Sequence, residues 1–400
     1  MKKLIIIGGG ASGFFLASNI NSNKWETIIL EQAKSPLQKL KISGGGRCNV
    51  TNACFIPKKL VKFYPRGSKE LLSVFNHFQP SDTFEWFAQK GVNLKIENDN
   101  RVFPETNSSQ TIIDTFIEQA TKKNIEINYN STVINIKKIN DKFEIITTHS
   151  TYYADALVVA TGSSLKMWKI LNQIGHTIIP PVPSLFTFLC DDPLIHNLQG
   201  IAFPEAEIHI PLLKYKEFGP LLITHWGISG PAVLKLSAWS ARELYNLNYK
   251  FVVRVNWISE TFDKVKEALI QEKENHPKKS IYSVKLYHLT HRFWNNLLGH
   301  LQINDKNLAD LSKKDINKIA ESLTNTQLSI NGKNTHKDEF VTAGGVDLKE
   351  IDFRTMQSKL IPNLYFAGEV LNIDALTGGL NFQACWSEAY IISQYLNSLN

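Results

Sequence analysis

The stretch KKLIIIGGGASGFFLASN, residues 2–19, constrains the fold more than any other part of the chain. Its apolar run, residues 4–7, stops at Gly8, too short for the hydrophobic region of a signal peptide and with no cleavage pattern after it, so it reads as a buried strand. Gly8, Gly10 and Gly13 then satisfy G-x-G-x-x-G, with Ala11 and Ser12 between, and a helical pattern starts at about Ala11. In that setting the first glycine permits a tight turn, the second lets the backbone approach a pyrophosphate, and the third lets helix and strand pack closely. The helix N-terminus adds amide donors and a positive dipole. A second strand over residues 27–30 ends in Glu31, where a carboxylate accepts a bond from a ribose hydroxyl and disfavours a 2′-phosphate. Strand, helix, strand in this order predicts an α/β fold with a parallel, Rossmann-like sheet.

The pattern changes downstream. Between about residues 184 and 257, short β-like runs (206–210, 221–224, 251–255) with proline punctuation predict an inserted β-rich domain. From about 260 to 326, Phe262, Val265, Ala268 and Leu269 fall at helical spacing in a Lys-, Glu- and Asn-rich segment, predicting a small helical subdomain. Glycines return in TAGGV (342–346), FAGEV (366–370) and TGGLNFQ (377–383), so the first domain is expected to be discontinuous. The expected division is 1–185 with 338–400 for the cofactor domain, 186–258 with 327–337 for the β-rich insertion, and 259–326 for the helical subdomain.

A chain of 400 residues with 43% apolar and 20% charged residues has the composition of an ordinary globular protein. No apolar stretch approaches 18 residues, which argues against a membrane span. The formal charge of +7 and pI near 9.0 favour anionic partners, but lysines and arginines are scattered among acids with no run of five like charges. That weighs toward a solvated surface over nucleic-acid binding. Cys48, Cys54, Cys190 and Cys385 lack paired spacing, which suits a reducing cytoplasm, and no cluster has metal-ligand spacing.

SGGGRCNVTNAC, residues 43–54, poses an either-or: a redox pair in Cys48 and Cys54, or a backbone cradle with incidental cysteines. Five residues intervene, Asn49, Thr51 and Asn52 suggest an irregular loop, and no second G-x-G-x-x-G follows to bring electrons from a nicotinamide. The cradle is the better reading. It also bears on which dinucleotide binds, because one nicotinamide site would leave the glycine clusters near 44, 162 and 368 unexplained. FAD is longer and is gripped along its length: Arg47 and the 44–46 amides at the pyrophosphate, Thr161-Gly162 after the strand in LVVATG, and Gly368-Glu369 beneath the ribityl-phosphate arm. A helix starting just after Gly378-Gly379 would face the flavin end. Its N-terminus stabilises a partly buried anion by up to about 2 kcal/mol, a rise of about 40 mV for a two-electron couple.

GGGASG, KISGGGRCNVTN, RVFPET, THWGISGPAVLKLS, VTAGGV and LYFAGEVLNIDALTGGLNFQ occur in an order that resembles a bacterial family of FAD-dependent oxidoreductases, labelled aminoacetone-oxidase-family flavoproteins or dehydro-bile-acid reductases. The resemblance covers nearly the whole chain. It implies a Rossmann-like FAD domain interrupted by a β-rich and a helical insertion. It further implies FAD contacts at Gly8, Gly10, Ala11, Ser12, Gly13, Glu31 and Gln32, at Gly45, Gly46, Arg47, Cys48 and Asn49, and at Val133. Ala160, Thr161, Gly162, Gly368, Glu369, Gly379, Asn381, Phe382 and Gln383 complete the set. The chain departs from the family by lacking a T-G-D-G loop after Gly162 and by carrying LNIDA and GGLN in place of L-D-V-D-G and GGYN. These changes bear on the substrate.

A catalytic acid or base is harder to place. His225 in THWGISGP is the first candidate, since a histidine transfers protons near neutral pH; the alternative is a packed residue beside Trp226. Arg101 in RVFPE fits a carboxylate or carbonyl substrate, or a salt bridge anchoring its loop. The expected function is flavin-mediated hydride transfer to or from a small organic substrate, with NAD(P)H as transient electron donor or oxygen as second partner. The competing readings are an FAD-dependent RNA-modifying protein and an FAD-binding protein with little turnover.

Overall fold

In the computed structural model, which describes residues 1–303, 305–334 and 341–399, the opening stretch folds as its pattern requires. Strand β1 (Lys2–Ile7) leads into helix α1 (Ala11–Asn19), followed by β2 (Trp25–Leu30) and α2 (Gln38–Gly46). The parallel part of the sheet runs Leu364–Phe366, Ala156–Val159, β1, β2, Glu126–Asn128, with Ile5 opposite both Leu157 and Ile28. Two short antiparallel strands, Gln357–Ser358 and Ile351–Asp352, extend one edge. Leu4, Ile5 and Ile6 are fully buried, as strands covered on both faces must be. The strand from near the C-terminus thus joins the N-terminal sheet. The first compact unit comprises Met1–Val182 and Val341–Asn400.

Inside that unit α1 packs on the C-terminal helix, Leu380–Ser398, through an aromatic cluster. Phe15 lies 4.7 Å from Trp86 and 5.2 Å from Trp386 between ring centroids, and Phe116 lies 5.6 Å from both tryptophans. The Trp386 indole donates to the Val50 carbonyl at 2.9 Å, so a buried donor is satisfied and the segment after α2 is tied to the core.

The second unit, Pro183–Phe340, holds a seven-stranded sheet in which Ala202–Ile210 pairs antiparallel with Tyr215–Ile223 and Phe251–Asn256. The helices Phe262–Asn275, His291–His300 and Lys313–Thr324 do not enclose a core of their own: Val265, Phe293 and Leu323 share one with Phe203, Ile208 and Trp257 of the sheet region. Each helix has one apolar stripe, and three such stripes need the sheet as their fourth wall. The helices Pro231–Trp239 and Ala241–Asn246 lie within the segment expected to be β-rich. There Gly230-Pro231, which looks like a turn in sequence, starts a helix with proline at its first position. The expected boundary at 337/338 lies outside the described residues.

Candidate functional site

The loops after four neighbouring parallel strands converge at their carboxyl ends, the position where open α/β sheets take ligands. After β1, Gly8 adopts φ +112°, and a Cβ there would lie 2.4 Å from the Ala160 carbonyl oxygen; one on Gly13 would lie 2.1 Å from the Gly8 carbonyl oxygen. Both glycines are demanded by the protein's own packing. A Cβ on Gly10 would meet nothing within 4 Å, and no side chain caps the α1 N-terminus that begins there at Ala11 and Ser12. Its first amides have no partner one turn back in the helix, which leaves donors for an anion.

Glu31, at the end of β2, is more than an acceptor waiting at an exposed strand end. Its carboxylate accepts from the Gly9 amide and from the Ala33 amide, both at 2.7 Å, and so fixes the glycine loop. Gln32 beside it is exposed. The Ser131 amide donates to the Glu31 carbonyl at 2.8 Å, two residues before Val133, the buried first residue of the strand Val133–Ile139.

The end of α2 is a run of left-handed backbone: φ is +57° at Gly44, +69° at Gly45, +82° at Gly46 and +60° at Cys48. Successive amides in such a run form a concave nest, and a Cβ at Gly45 or Gly46 would meet nothing within 4 Å. Arg47 has partners within the protein that the sequence does not show. Its guanidinium pairs with Glu97 at 2.6 Å and stacks 3.9 Å from the Phe103 ring centroid, so its charge is met by the protein and it anchors the loop. Arg101 pairs with Asp99 and Glu97, a loop anchor as well. Cys48 and Cys54 are both free, and burial pushes the Cys48 thiol up to about 12, which leaves almost no thiolate to act as a nucleophile.

Residues 49–52 bind this nest to the start of the C-terminal helix. Strand β3 (Thr51–Asn52) pairs with Arg101–Pro104, Asn49 Oδ1 accepts from the Val102 amide at 3.3 Å, and Asn52 Nδ2 donates to the Gly378 carbonyl at 3.1 Å. Gly379, at φ +82°, precedes the helix; a Cβ there would strike the Thr51 carbonyl oxygen at 2.3 Å. Asn381 clamps the approaching turn by accepting from the Ala375 amide at 3.0 Å, and Phe382 stacks on Trp386. The Gln383 side chain is spent within the protein: its carbonyl oxygen accepts from Thr51 at 2.5 Å and Thr83 at 2.9 Å, and its amide donates to Ser387 at 3.0 Å. Its role is to hold the helix in place.

Of the remaining two loops, Ala160-Thr161-Gly162 presents a buried Thr161 hydroxyl with no hydrogen-bond partner among the described residues. The other, Ala367-Gly368-Glu369, turns at Gly368 with φ +81°, and Glu369 pairs with Lys39 of α2 at 2.7 Å. An orphaned hydroxyl, three open glycines and an uncapped helix N-terminus are groups that a dinucleotide would complete. Two residues of this site have no forecast in the sequence reading. Lys39 gave no local signal; Glu388 did, as the one acid in the otherwise apolar turns ACWSEAYII, and its Oε2 accepts from the Gly368 amide at 2.5 Å while Oε1 is buried with no partner among the described residues.

His225 lies in the second unit, in the tight turn between Tyr215–Ile223 and Gly227–Ser229, closed by Thr224 N donating to the Gly227 carbonyl at 2.8 Å. It is exposed, and so is Trp226 at 60%, so the packed alternative does not describe it. No helix among the described residues is long and apolar enough to cross a membrane.

The profile of a family described as HI0933-like protein Rossmann domain matches residues 2–395. A ribosomal RNA dihydrouridine synthase of Escherichia coli (strain K12) is 31% identical over 405 residues, covering 98% of this chain and 97% of that protein. The protein of the same name from Haemophilus influenzae is 30% identical, covering 96% of each. A 3-dehydro-bile acid delta(4,6)-reductase of Clostridium scindens is 25% identical, covering 98% of each. Among solved structures, the 3-ketosteroid-delta4-(5alpha)-dehydrogenase of Rhodococcus jostii RHA1 superposes with a TM-score of 0.55 at 11% identity, covering 100% of this chain and 97% of that one. At that identity the likeness is one of fold.

Proposed function

The chain belongs to the HI0933-like family of FAD-binding Rossmann-domain oxidoreductases, and from that premise we propose that it reduces a uridine of ribosomal RNA to dihydrouridine. The observation that carries the substrate is the agreement of two relatives, at 31% and 30% identity over almost the entire chain, on one named activity. This moves the reading from a small organic substrate toward the RNA-modifying alternative, and the pI near 9.0 suits a polyanionic partner.

The residues divide the work. The amides at the start of α1, above the open space at Gly10, and the nest of Gly45 and Gly46 take the pyrophosphate. Glu31 keeps a lone pair for the ribose after its two backbone bonds. The Thr161 hydroxyl gains the partner it lacks, and Gly368 with Glu369 supports the linking arm. The N-terminus of the helix at Leu380 favours negative charge at the flavin end. FAD bound there would supply the hydride chemistry for saturating the uracil C5–C6 double bond, which its conjugated carbonyl activates; the second carbon needs a proton. His225, exposed on the turn before Gly227, is the proposed donor, and NAD(P)H the proposed source of electrons.

A second reading rests on the Clostridium scindens relative. Its named reaction also saturates carbon–carbon bonds, which suits a small conjugated ketone. The test incubates the FAD-loaded protein and NADPH with ribosomal RNA from a strain lacking the gene and measures dihydrouridine by mass spectrometry of nucleosides. Dihydrouridine at one position supports the RNA reading. None, together with reduction of a steroid enone, replaces it with the second. In the same assay His225→Ala is expected to lower turnover by about 10²- to 10⁴-fold with an unchanged melting temperature, as for a positioned proton donor on an exposed turn.

A further inference from the structure

Charge along this chain is most uneven in its longest acid-free stretch. Residues 32–69 contain nine lysines and arginines and no aspartate or glutamate. Three of the nine are neutralised by carboxylates brought from elsewhere in the fold: Lys39 by Glu369, Arg47 by Glu97 and Arg66 by Asp374. The other six are exposed, with no ion-pair partner among the described residues. Four of these fall close together in sequence. Lys58 and Lys59 lie on the short helix Pro57–Leu60, Lys62 on the 3₁₀ turn Val61–Phe63 that continues it, and Lys69 in the first turn of the next helix, Ser68–His77.

Beside these cations the chain exposes apolar surface. Phe55 is 42% and Ile56 49% accessible, and the Phe55 ring is braced by Phe84 at 5.9 Å between centroids. An aromatic held at the surface next to several unmatched lysines suits a chain of phosphates carrying unpaired bases, since bases stack on the ring while ammonium groups take the phosphates.

This surface is fastened to the candidate site. The Tyr64 hydroxyl donates to the Leu380 carbonyl at 2.6 Å, the Leu376 amide donates to the Phe63 carbonyl at 2.9 Å, and Arg66 is paired with the fully buried Asp374. With Asn52 bonded to Gly378, four links hold the 52–66 segment on the turn that starts the C-terminal helix. A polymer lying on the lysines is therefore kept beside the Gly378-Gly379 turn.

We propose that residues 55–69 are the landing surface for the RNA, with Lys58, Lys59, Lys62 and Lys69 on backbone phosphates and Phe55 under an unpaired base. The inference rests on the RNA reading above and adds the surface that recognises the partner. It explains why the lysines are unmatched in the protein: their counter-charge arrives with the substrate.

Binding of a fluorescein-labelled RNA hairpin with a uridine-rich loop, measured across salt concentrations on the FAD-loaded protein, tests it. Each contact to a single-stranded phosphate contributes about 0.7 to the slope of log affinity against log salt. Lys58→Ala, Lys59→Ala and Lys62→Ala together should therefore lower the slope by about 2 and weaken binding roughly fiftyfold at 0.15 M salt, with little loss near 1 M. Phe55→Ala should weaken binding by roughly five- to 150-fold at every salt concentration. Lys313→Ala, Lys314→Ala and Lys318→Ala, an equal loss of exposed charge on a helix of the second unit, should leave the slope unchanged. Flavin absorbance and melting temperature confirm that each variant is folded.

An unchanged slope in the first triple variant, with dihydrouridine still formed by the unaltered protein, overturns the landing surface and leaves the function standing. An unaltered protein that neither binds the hairpin nor forms dihydrouridine overturns both. Binding of polyglutamate as tight as that of RNA would assign the surface to acidic polypeptides and overturn the proposal too.

Discussion

A methyl group on Gly13 would lie 2.1 Å from the Gly8 carbonyl oxygen, whereas one on Gly10, a residue with ordinary extended φ, would touch nothing within 4 Å. The protein alone thus needs one glycine and leaves the other to its ligand. Gly13→Ala is expected to destabilise the flavin-free protein by about 1–3 kcal/mol, the usual range for overpacking, because backbone on both sides must shift. Gly10→Ala should leave the flavin-free melt within about 0.5 kcal/mol of the original and still impair FAD retention, since its methyl occupies the space kept for the pyrophosphate. Thermal melts without flavin, and ultrafiltration to follow retained FAD, separate the two effects. Full retention by Gly10→Ala would mean that the open space serves something else.

At the scale of elements, the C-terminal helix carries an acid that its burial keeps protonated. Glu388 is fully buried, and loss of solvation pushes its carboxyl up to about 8, only partly offset by the Gly368 amide. A carboxyl whose pKa is raised by folding holds its proton more tightly folded than unfolded, so stability is highest below its unfolded pKa near 4.3 and falls as pH rises toward 8. Glu388→Gln mimics the protonated form at every pH. The variant's melting temperature should therefore gain on the unaltered protein's steadily between pH 5 and 8, and parallel curves would sink this account. What could be read from sequence follows the same division between local and distant causes. The strand, glycine turn and helix at residues 2–19 were legible because spacing and periodicity are local, and so was the helix after Gly379. The ion pair of Arg47 was not legible because its partner, Glu97, is fifty residues away. The helix at Pro231 was hidden because glycine-proline marks turns and helix starts alike. The acid-free segment was present in the letters but lost in whole-chain counts.

At the scale of the whole molecule, two cores are built from separate residues. One lies around the parallel sheet with Phe15, Trp86 and Trp386; the other joins Ile208, Trp257, Phe293 and Leu323 in the second unit. Every residue proposed to hold FAD belongs to the first unit, so the cofactor's linkage free energy falls on that unit alone. A ligand present at a hundred times its dissociation constant stabilises the form that binds it by about 2.7 kcal/mol. At about 2–4 °C per kcal/mol, the range for 150–250 residues, that corresponds to a rise of roughly 5–11 °C. Scanning calorimetry should therefore show two transitions, of which only one moves upward when FAD is added. Hydrogen exchange near the lower transition identifies the mover: amides of β1 and α1 should gain protection with FAD, while those of Ala202–Ile210 and Phe251–Asn256 should not. A single transition that shifts as one would show that the two cores unfold together, and equal protection in both sets of strands would place part of the FAD-binding energy in the second unit.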